Sequence, residues 1–154
     1  MSLPSGYRLR PFILADYDQV IALWKTTEGM GLGESDTRPA IAAFLKRNPG
    51  LSRVIESDEG RIAGAIMCGH DGRRGYLHHL AVPRTLRNKG FGGALVDACL
   101  ADLKSLSIPK CNLFLFADNL PGRDFWQHEG WTMREDLIVV QKSLGKQPTC
   151  GRSC

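Results

Sequence analysis

The sequence predicts an α+β fold, a mixed sheet with helices packed on its faces. Two observations carry this. Between residues 52 and 82, short alternating or apolar runs follow one another through tight turns, as antiparallel hairpin strands do. Beyond them, an apolar-periodic stretch separates two apolar runs, the order of a strand–helix–strand crossover. The 154 residues suit one domain large enough to bury a core, and no internal repeat or linker divides them.

Each element follows from its local pattern. Tyr7 to Phe12 alternates and reads as a first strand. Asp16 is placed to cap a helix through about Lys25, with Tyr17, Val20, Ile21 and Trp24 on one face. Gly29, Gly31 and Gly33 make a loop. Thr37 is placed to cap a second helix with Ile41, Phe44 and Leu45 as its apolar face, ended by Asn48-Pro49-Gly50. Ser52 to Ser57 and Ile62 to Gly69 are strands joined at Asp58-Glu59-Gly60, and Asp71-Gly72 starts another turn. Tyr76 to Val82 is a strand stopped by Pro83. A third helix runs through RNKGFGGALVDACLADL, Arg87 to Leu103. Asn112 to Ala117 is largely apolar and is expected to be a strand buried on both faces. Arg123 to Glu129 sits on a short helix, and Leu137 to Leu144 is expected as a last strand. Lys146 to Cys154 lacks periodicity and reads as a loose tail, leaving residues 1–145 as the domain.

Composition narrows the function classes. The hydrophobic fraction of 43% and charged fraction of 23% are those of an ordinary globular protein. The net charge of +4 suits an anionic small ligand or a nucleic acid. The cations form no long stripe interleaved with aromatics, which argues against nucleic acid. Five cysteines are present, an odd number without zinc spacing, and Cys68, Cys99 and Cys111 lie within apolar segments. With no leader-like N-terminus and no apolar run near the ~20 residues of a membrane span, a reduced, cytoplasmic protein without membrane partners is expected.

The third helix poses a chemical question, because glycine weakens helices. Gly90, Gly92 and Gly93 stand where it begins, with Arg84, Arg87 and Lys89 before them. A helix N-terminus offers unpaired N–H groups and a partial positive charge, a ready anion site. Removing Cβ atoms there lets a phosphate approach the backbone. The alternative is a glycine-rich turn that only packs the helix tightly on the sheet. Two other phosphate loops fail on the letters: Lys89 precedes Gly90 where a Walker loop needs GK[ST], and Leu95 stands where a dinucleotide fingerprint needs its third glycine.

What remains is Leu80-Ala81-Val82-Pro83 followed by Arg87, Gly90 and Gly92 in the spacing R-x-x-G-x-G. This resembles the acetyl-CoA motif of the GNAT family of N-acetyltransferases. Downstream, Asn119 to Trp131 resembles the family's N-x-x-A-x-x-F-Y-x-x-x-G-F. Asn119, Phe125 and Gly130 match, while Gly122, Trp126 and Trp131 replace Ala, Tyr and Phe. The order of elements is similar to the family over about Tyr7 to Leu144.

The resemblance implies a sheet of about seven strands, helices on both faces, and two neighbouring parallel strands, here Tyr76–Val82 and Asn112–Ala117, that splay apart around acetyl-CoA. It implies that the backbone of Leu80, Ala81 and Val82 pairs with the pantetheine arm. Backbone N–H groups of Arg87, Asn88, Lys89, Gly90, Phe91, Gly92 and Gly93 would hold the diphosphate. Asn119, Phe125 and Trp126 would line the cofactor, and an N–H near Val82 would polarise the thioester carbonyl. It implies direct attack by an amine, so no cysteine nucleophile and no metal. Trp126 stands in place of the tyrosine that often serves as acid, which leaves Tyr76 or water. No carboxylate lies on the two strands before Asp118, which leaves His78 or His79 as base, and strand alternation is expected to put them on opposite faces. Glu28, Glu34 and Asp36, in the loop expected to receive the acceptor, either attract a cationic amine or are simply solvated. The expected acceptors are an amine-bearing small molecule, a peptide N-terminus or a lysine, and a homodimer is compatible. A catalytically weak acetyl-CoA-binding module is the alternative reading.

Overall fold

A computed structural model describes residues 2–145. The elements run β1 (Tyr7–Pro11), α1 (Tyr17–Lys25), α2 (Arg38–Arg47), β2 (Arg53–Ser57), β3 (Ile62–His70), β4 (Gly75–Ala81), α3 (Phe91–Ser105), β5 (Cys111–Leu113) and α4 (Leu120–His128). The sheet is ordered β1-β2-β3-β4-β5. The first four strands pair antiparallel in sequence order, and β5 returns parallel to β4 after the α3 crossover. The expected tail, residues 146–154, lies outside the described residues.

Period-2 alternation sorts side chains to two cores. On the α3 and α4 side, Ile55, Ile66, Cys68 and Leu77 meet Phe91, Leu95, Val96, Cys99, Leu103 and Trp126. On the other side, Val54, Ala65, Met67 and Ala81 meet Val20 and Trp24 of α1 and Ile41 of α2. The near-continuous apolar run of β3 thus follows from burial on both faces. Of the short helices, α2 and α4 are closed by side-chain caps. Thr37 accepts the N–H of Ala40 at α2, Asn119 accepts that of Gly122 at α4, and each helix has proline in its first turn.

Asp16 does not cap α1 by its side chain. It ends a single 3-10 turn, accepts the N–H of Ile13 at 3.0 Å, and takes two hydrogen bonds from Arg10, both at 2.8 Å. The carboxylate is drawn to a guanidinium from the sheet in preference to the neutral amides of the helix.

The sheet has five strands among the described residues, against about seven expected. Leu137 to Leu144 forms no strand, and Ile138 and Val140 are each 87% exposed. The alternating letters are there, but a strand exists only through a paired neighbour. The run from Asn112 to Ala117 is also not a strand buried on both faces. Only Cys111–Leu113 is paired; Leu113 and Leu115 face the core while Phe114 is 54% exposed. One covered face suffices for an apolar run that the sequence reads as two-sided.

Candidate functional site

Parallel pairing of β4 with β5 covers Gly75–Cys111, Tyr76–Asn112 and Leu77–Leu113, then stops. From His78 to Ala81, β4 runs on without a β5 partner. Over the same residues its pairing with β3 slips, because Ala65 pairs with Ala81 but Met67 with His78, so β4 carries one extra residue. The extra residue is absorbed at His79, whose φ is +52°. This is a β-bulge, a device that bends a strand and re-aims its side chains.

The bulge overturns the expectation that His78 and His79 face opposite ways. His78 packs edge-on against Phe44 of α2 at 5.9 Å, and His79 packs on Trp24 of α1 at 4.8 Å. Both rings therefore lie on the α1–α2 side. Leu80 and Val82 turn to the α3 side and pack against that core, with Ala81 between them facing the other way. Local alternation assumes an unbroken ladder, and a left-handed residue breaks it.

His79 is held firmly. Its Nε2 lies 2.8 Å from Asp36 Oδ1, with the two side chains only 7% and 10% exposed. Asp36 also accepts the N–H of Gly33 at 2.9 Å. Burial alone would raise the Asp36 pKa, but the hydrogen bonds from His79 and Gly33 outweigh it and hold the carboxyl below its usual value. Asp36, expected in an open acidic loop, is thus a buried partner. His78 lies beside Tyr76, their rings stacked at 6.4 Å, and Tyr76 in turn approaches Phe114 at 6.3 Å. Burial first, and the neighbouring His79 second, push the His78 pKa down, while Asp36 pulls weakly the other way. His78 is therefore neutral near pH 7.

Beyond the split, α3 begins on a bare backbone. Gly90 is its N-cap with φ +84° and no side-chain cap; Asn88, two residues earlier, also has positive φ at +61°. Only glycine adopts the Gly90 conformation without strain. Gly92 has a different reason: a Cβ there would lie 3.3 Å from the Phe125 ring of α4. The two readings of the glycines therefore both apply, Gly92 for close helix packing and Gly90 for the turn that leaves the first amides of α3 without a side-chain acceptor.

Cations and two carboxylates crowd this N-terminus, Glu28 and also Glu129, whose Oε1 lies 3.4 Å from where a Gly93 Cβ would stand. Arg87 donates from Nε to the carbonyl of Val82 at 3.2 Å and from Nη1 to Glu28 Oε1 at 2.6 Å, and Arg84 donates to Glu28 Oε2 at 3.0 Å. Hydrogen bonds from Arg87 first, then its own backbone and Arg84, bring the Glu28 pKa down to about 2. Lys89 and Asn88 are exposed. Glu34 is exposed in the 3-10 turn Glu34–Asp36. Sequence reasoning named Glu28, Asp36, Arg87 and His79 but not that they pair, across 59 residues for Glu28 with Arg87 and 43 for Asp36 with His79. No local pattern reports such pairs.

Trp126 sits in the core at 7% exposure, edge-on to Phe125 at 5.0 Å and to Trp131 at 4.9 Å. Phe125 is half-buried between Gly92 and Trp126. The thiols of Cys99 and Cys111 are poor nucleophiles. The Cys68 thiol and burial push Cys99 upward, and burial pushes Cys111 up to about 12.

Comparison with known proteins agrees with this geometry. Residues 17–131 match the profile of the Acetyltransferase (GNAT) family. A Yersinia pestis (strain Pestoides F) acetyltransferase is 32% identical over 111 residues, covering 72% of this chain and 77% of the relative. The crystal structure of Ard1 from Thermoplasma volcanium superposes with a TM-score of 0.74 at 21% identity over 84% of each chain. That of the NatC complex bound to Gag peptide and CoA superposes with a TM-score of 0.66 at 17% identity, covering 80% of this chain and 82% of that one. At these identities the two structures establish likeness of fold.

Proposed function

The chain belongs to the GNAT acetyltransferase family and is an acyltransferase, and from that premise we propose that it moves an acetyl group from acetyl-CoA to a primary amine by direct attack. The observation that carries the reading is the uncapped N-terminus of α3, lined with Arg84, Arg87 and Lys89, beyond the point where β4 parts from β5. That one neighbour of the same fold was solved with CoA supports it.

The residues present fit a diphosphate-bearing thioester. The amides from Arg87 to Gly93 supply donors at the positive end of a helix, and the two arginines supply charge. The backbone of Leu80 and the N–H of Val82 would pair with the pantetheine arm; the Val82 carbonyl already accepts from Arg87 Nε. The Val82 N–H would be the donor that polarises the thioester carbonyl. Asn119 and Phe125 would border the cofactor from α4, with Trp126 buried behind them as packing. The amine nitrogen attacks the carbonyl carbon, and the carbon–sulfur bond breaks. His78, neutral near pH 7, takes the proton from the ammonium, and Tyr76 beside it gives one to the departing thiolate. Glu34 and Asp36 stand on the acceptor side, Asp36 holding its loop to the bulge through His79. Acceptors are a small-molecule amine or a peptide or protein amine, and nothing in this reading involves nucleic acid.

A panel of amines and peptides incubated with acetyl-CoA, with free thiol as readout, tests the proposal. Turnover with at least one amine is expected. Tight acetyl-CoA binding with no thiol release would favour the weak binding module, a reading prompted by the burial of Trp126 in the tyrosine's place. The pH profile tests the base. With its pKa below the ordinary ~6.5 of histidine, His78 loses its base form only as pH falls below that value. kcat/KM should therefore be flat with respect to this group near neutrality and fall in acid. His78→Gln should slow turnover and remove that acid limb; an unchanged profile takes His78 out of the role.

A further inference from the structure

The loop between α1 and the 3-10 turn at Glu34 reaches across the site at two points. Glu28 shares its carboxylate between Arg84, at 3.0 Å, and Arg87, at 2.6 Å. Next to it, Gly29 abuts the cap of α4 so closely that a Cβ would lie 2.8 Å from Asn119 Nδ2. The same loop is fastened at its far end, where the Tyr17 hydroxyl donates to the Asp36 carbonyl at 2.7 Å and Asp36 meets His79 and the Gly33 amide. One end is buried and the other is exposed, since the Glu28 side chain is 52% accessible.

We infer that Glu28 is the chain's own competitor for the diphosphate of the cofactor, a carboxylate that cofactor binding must displace from Arg84 and Arg87. The inference rests on the reading that these arginines serve that diphosphate. Three physical points support it. A carboxylate and a phosphate make the same kind of charge-assisted hydrogen bonds with guanidinium, so they contend for the same donors. Exposed ion pairs are individually weak, so exchanging one carboxylate for a more highly charged diphosphate is favourable. Arg87 keeps its Nε bond to the Val82 carbonyl when the carboxylate leaves, so it stays aimed at the split strands while its Nη1 changes partner. Glu28 remains ionised far into acid, so the competition is the same throughout the neutral range. Displacement frees the loop at Glu28 and Gly29 while Asp36 keeps it tethered to the sheet.

Calorimetric titration of the wild type, Glu28→Gln and Arg87→Gln with CoA and with pantetheine, which lacks the diphosphate, tests this. Glu28→Gln should bind CoA about three- to tenfold more tightly, the range two weak exposed pairs allow. Its affinity for pantetheine should be unchanged, and the gain should be equal at about pH 6 and pH 8. Arg87→Gln should weaken CoA alone. If Arg87→Gln weakens CoA binding but Glu28→Gln does not strengthen it, the competition is overturned and the cradle stands. If the wild type fails to bind CoA, or Arg87→Gln leaves its affinity intact, the cradle reading fails and the competition with it. Should Glu28→Gln be unstable, amide exchange of residues 26–33 in the wild type decides: faster exchange on adding CoA supports displacement, and unchanged or slower exchange overturns it.

Discussion

α3 and α4 begin in opposite ways. α4 closes its own first turn: Asn119 Oδ1 accepts the Gly122 N–H at 3.0 Å and Pro121 removes a donor. α3 begins on Gly90 with no side-chain acceptor. Burial explains why each is possible. α3 has 15 residues and buries Phe91, Leu95, Val96, Cys99 and Leu103, whereas α4 has nine and buries Trp126 alone. A helix with several buried anchors tolerates bare first amides, as α3 does and as the nine-residue α1 does with Val20 and Trp24 buried; α4, with one, carries a cap. The lesson is that an open helix N-terminus depends on packing further along the same helix.

The largest test of this contrast is Phe91→Ala. Phe91 is 1% exposed and touches Tyr7 at 4.8 Å between ring centroids, fastening the first turn of α3 to β1. The substitution should cost about 3–5 kcal/mol in denaturant unfolding. A loss under about 1 kcal/mol would mean that packing does not hold the open end. Next comes Gly90→Ala. At φ +84° the added Cβ is strained, and about 1–2 kcal/mol of stability should go. A neutral result would show that the turn relaxes, and that the amides of α3 are not held in the arrangement described. Smallest is Asn119. Asn119→Ala should cost about 1 kcal/mol and Asn119→Gly only a few tenths by the same unfolding measurement. Equal losses for both would locate the role of Asn119 in its contact with Gly29 rather than in capping.

The letters made much of this legible. The helices of Val20 and Trp24, of Ile41, and of Phe91 to Leu103 announced themselves by periodicity, and Thr37 and Asn48 marked where α2 starts and stops. The glycines and cations before α3 singled out its N-terminus, where the structure shows Gly90 without a side-chain cap. They did not show that Gly92 makes room for Phe125, because that depends on a helix almost thirty residues later, as the Cβ distance of 3.3 Å reveals. The bulge at His79 left no trace in the sequence. Histidine is among the residues found more often in the left-handed region, but its presence there is decided by pairing with β3. The run from Leu137 to Leu144 looked like a strand because alternation reports the capacity to pair, and the partner was assumed.

The sequence by itself determined the helices, the order of strands through β4, and the family to which the chain belongs, because periodicity, caps and the R-x-x-G-x-G spacing act over one or two turns of chain. Tertiary structure alone decided that both histidines share a face, that Asp36 is buried against His79, and that Glu28 holds Arg84 and Arg87 beside the start of α3. Those are interactions between charges and rings brought together by packing, and their energies depend on distance in space, of which distance along the chain carries no record.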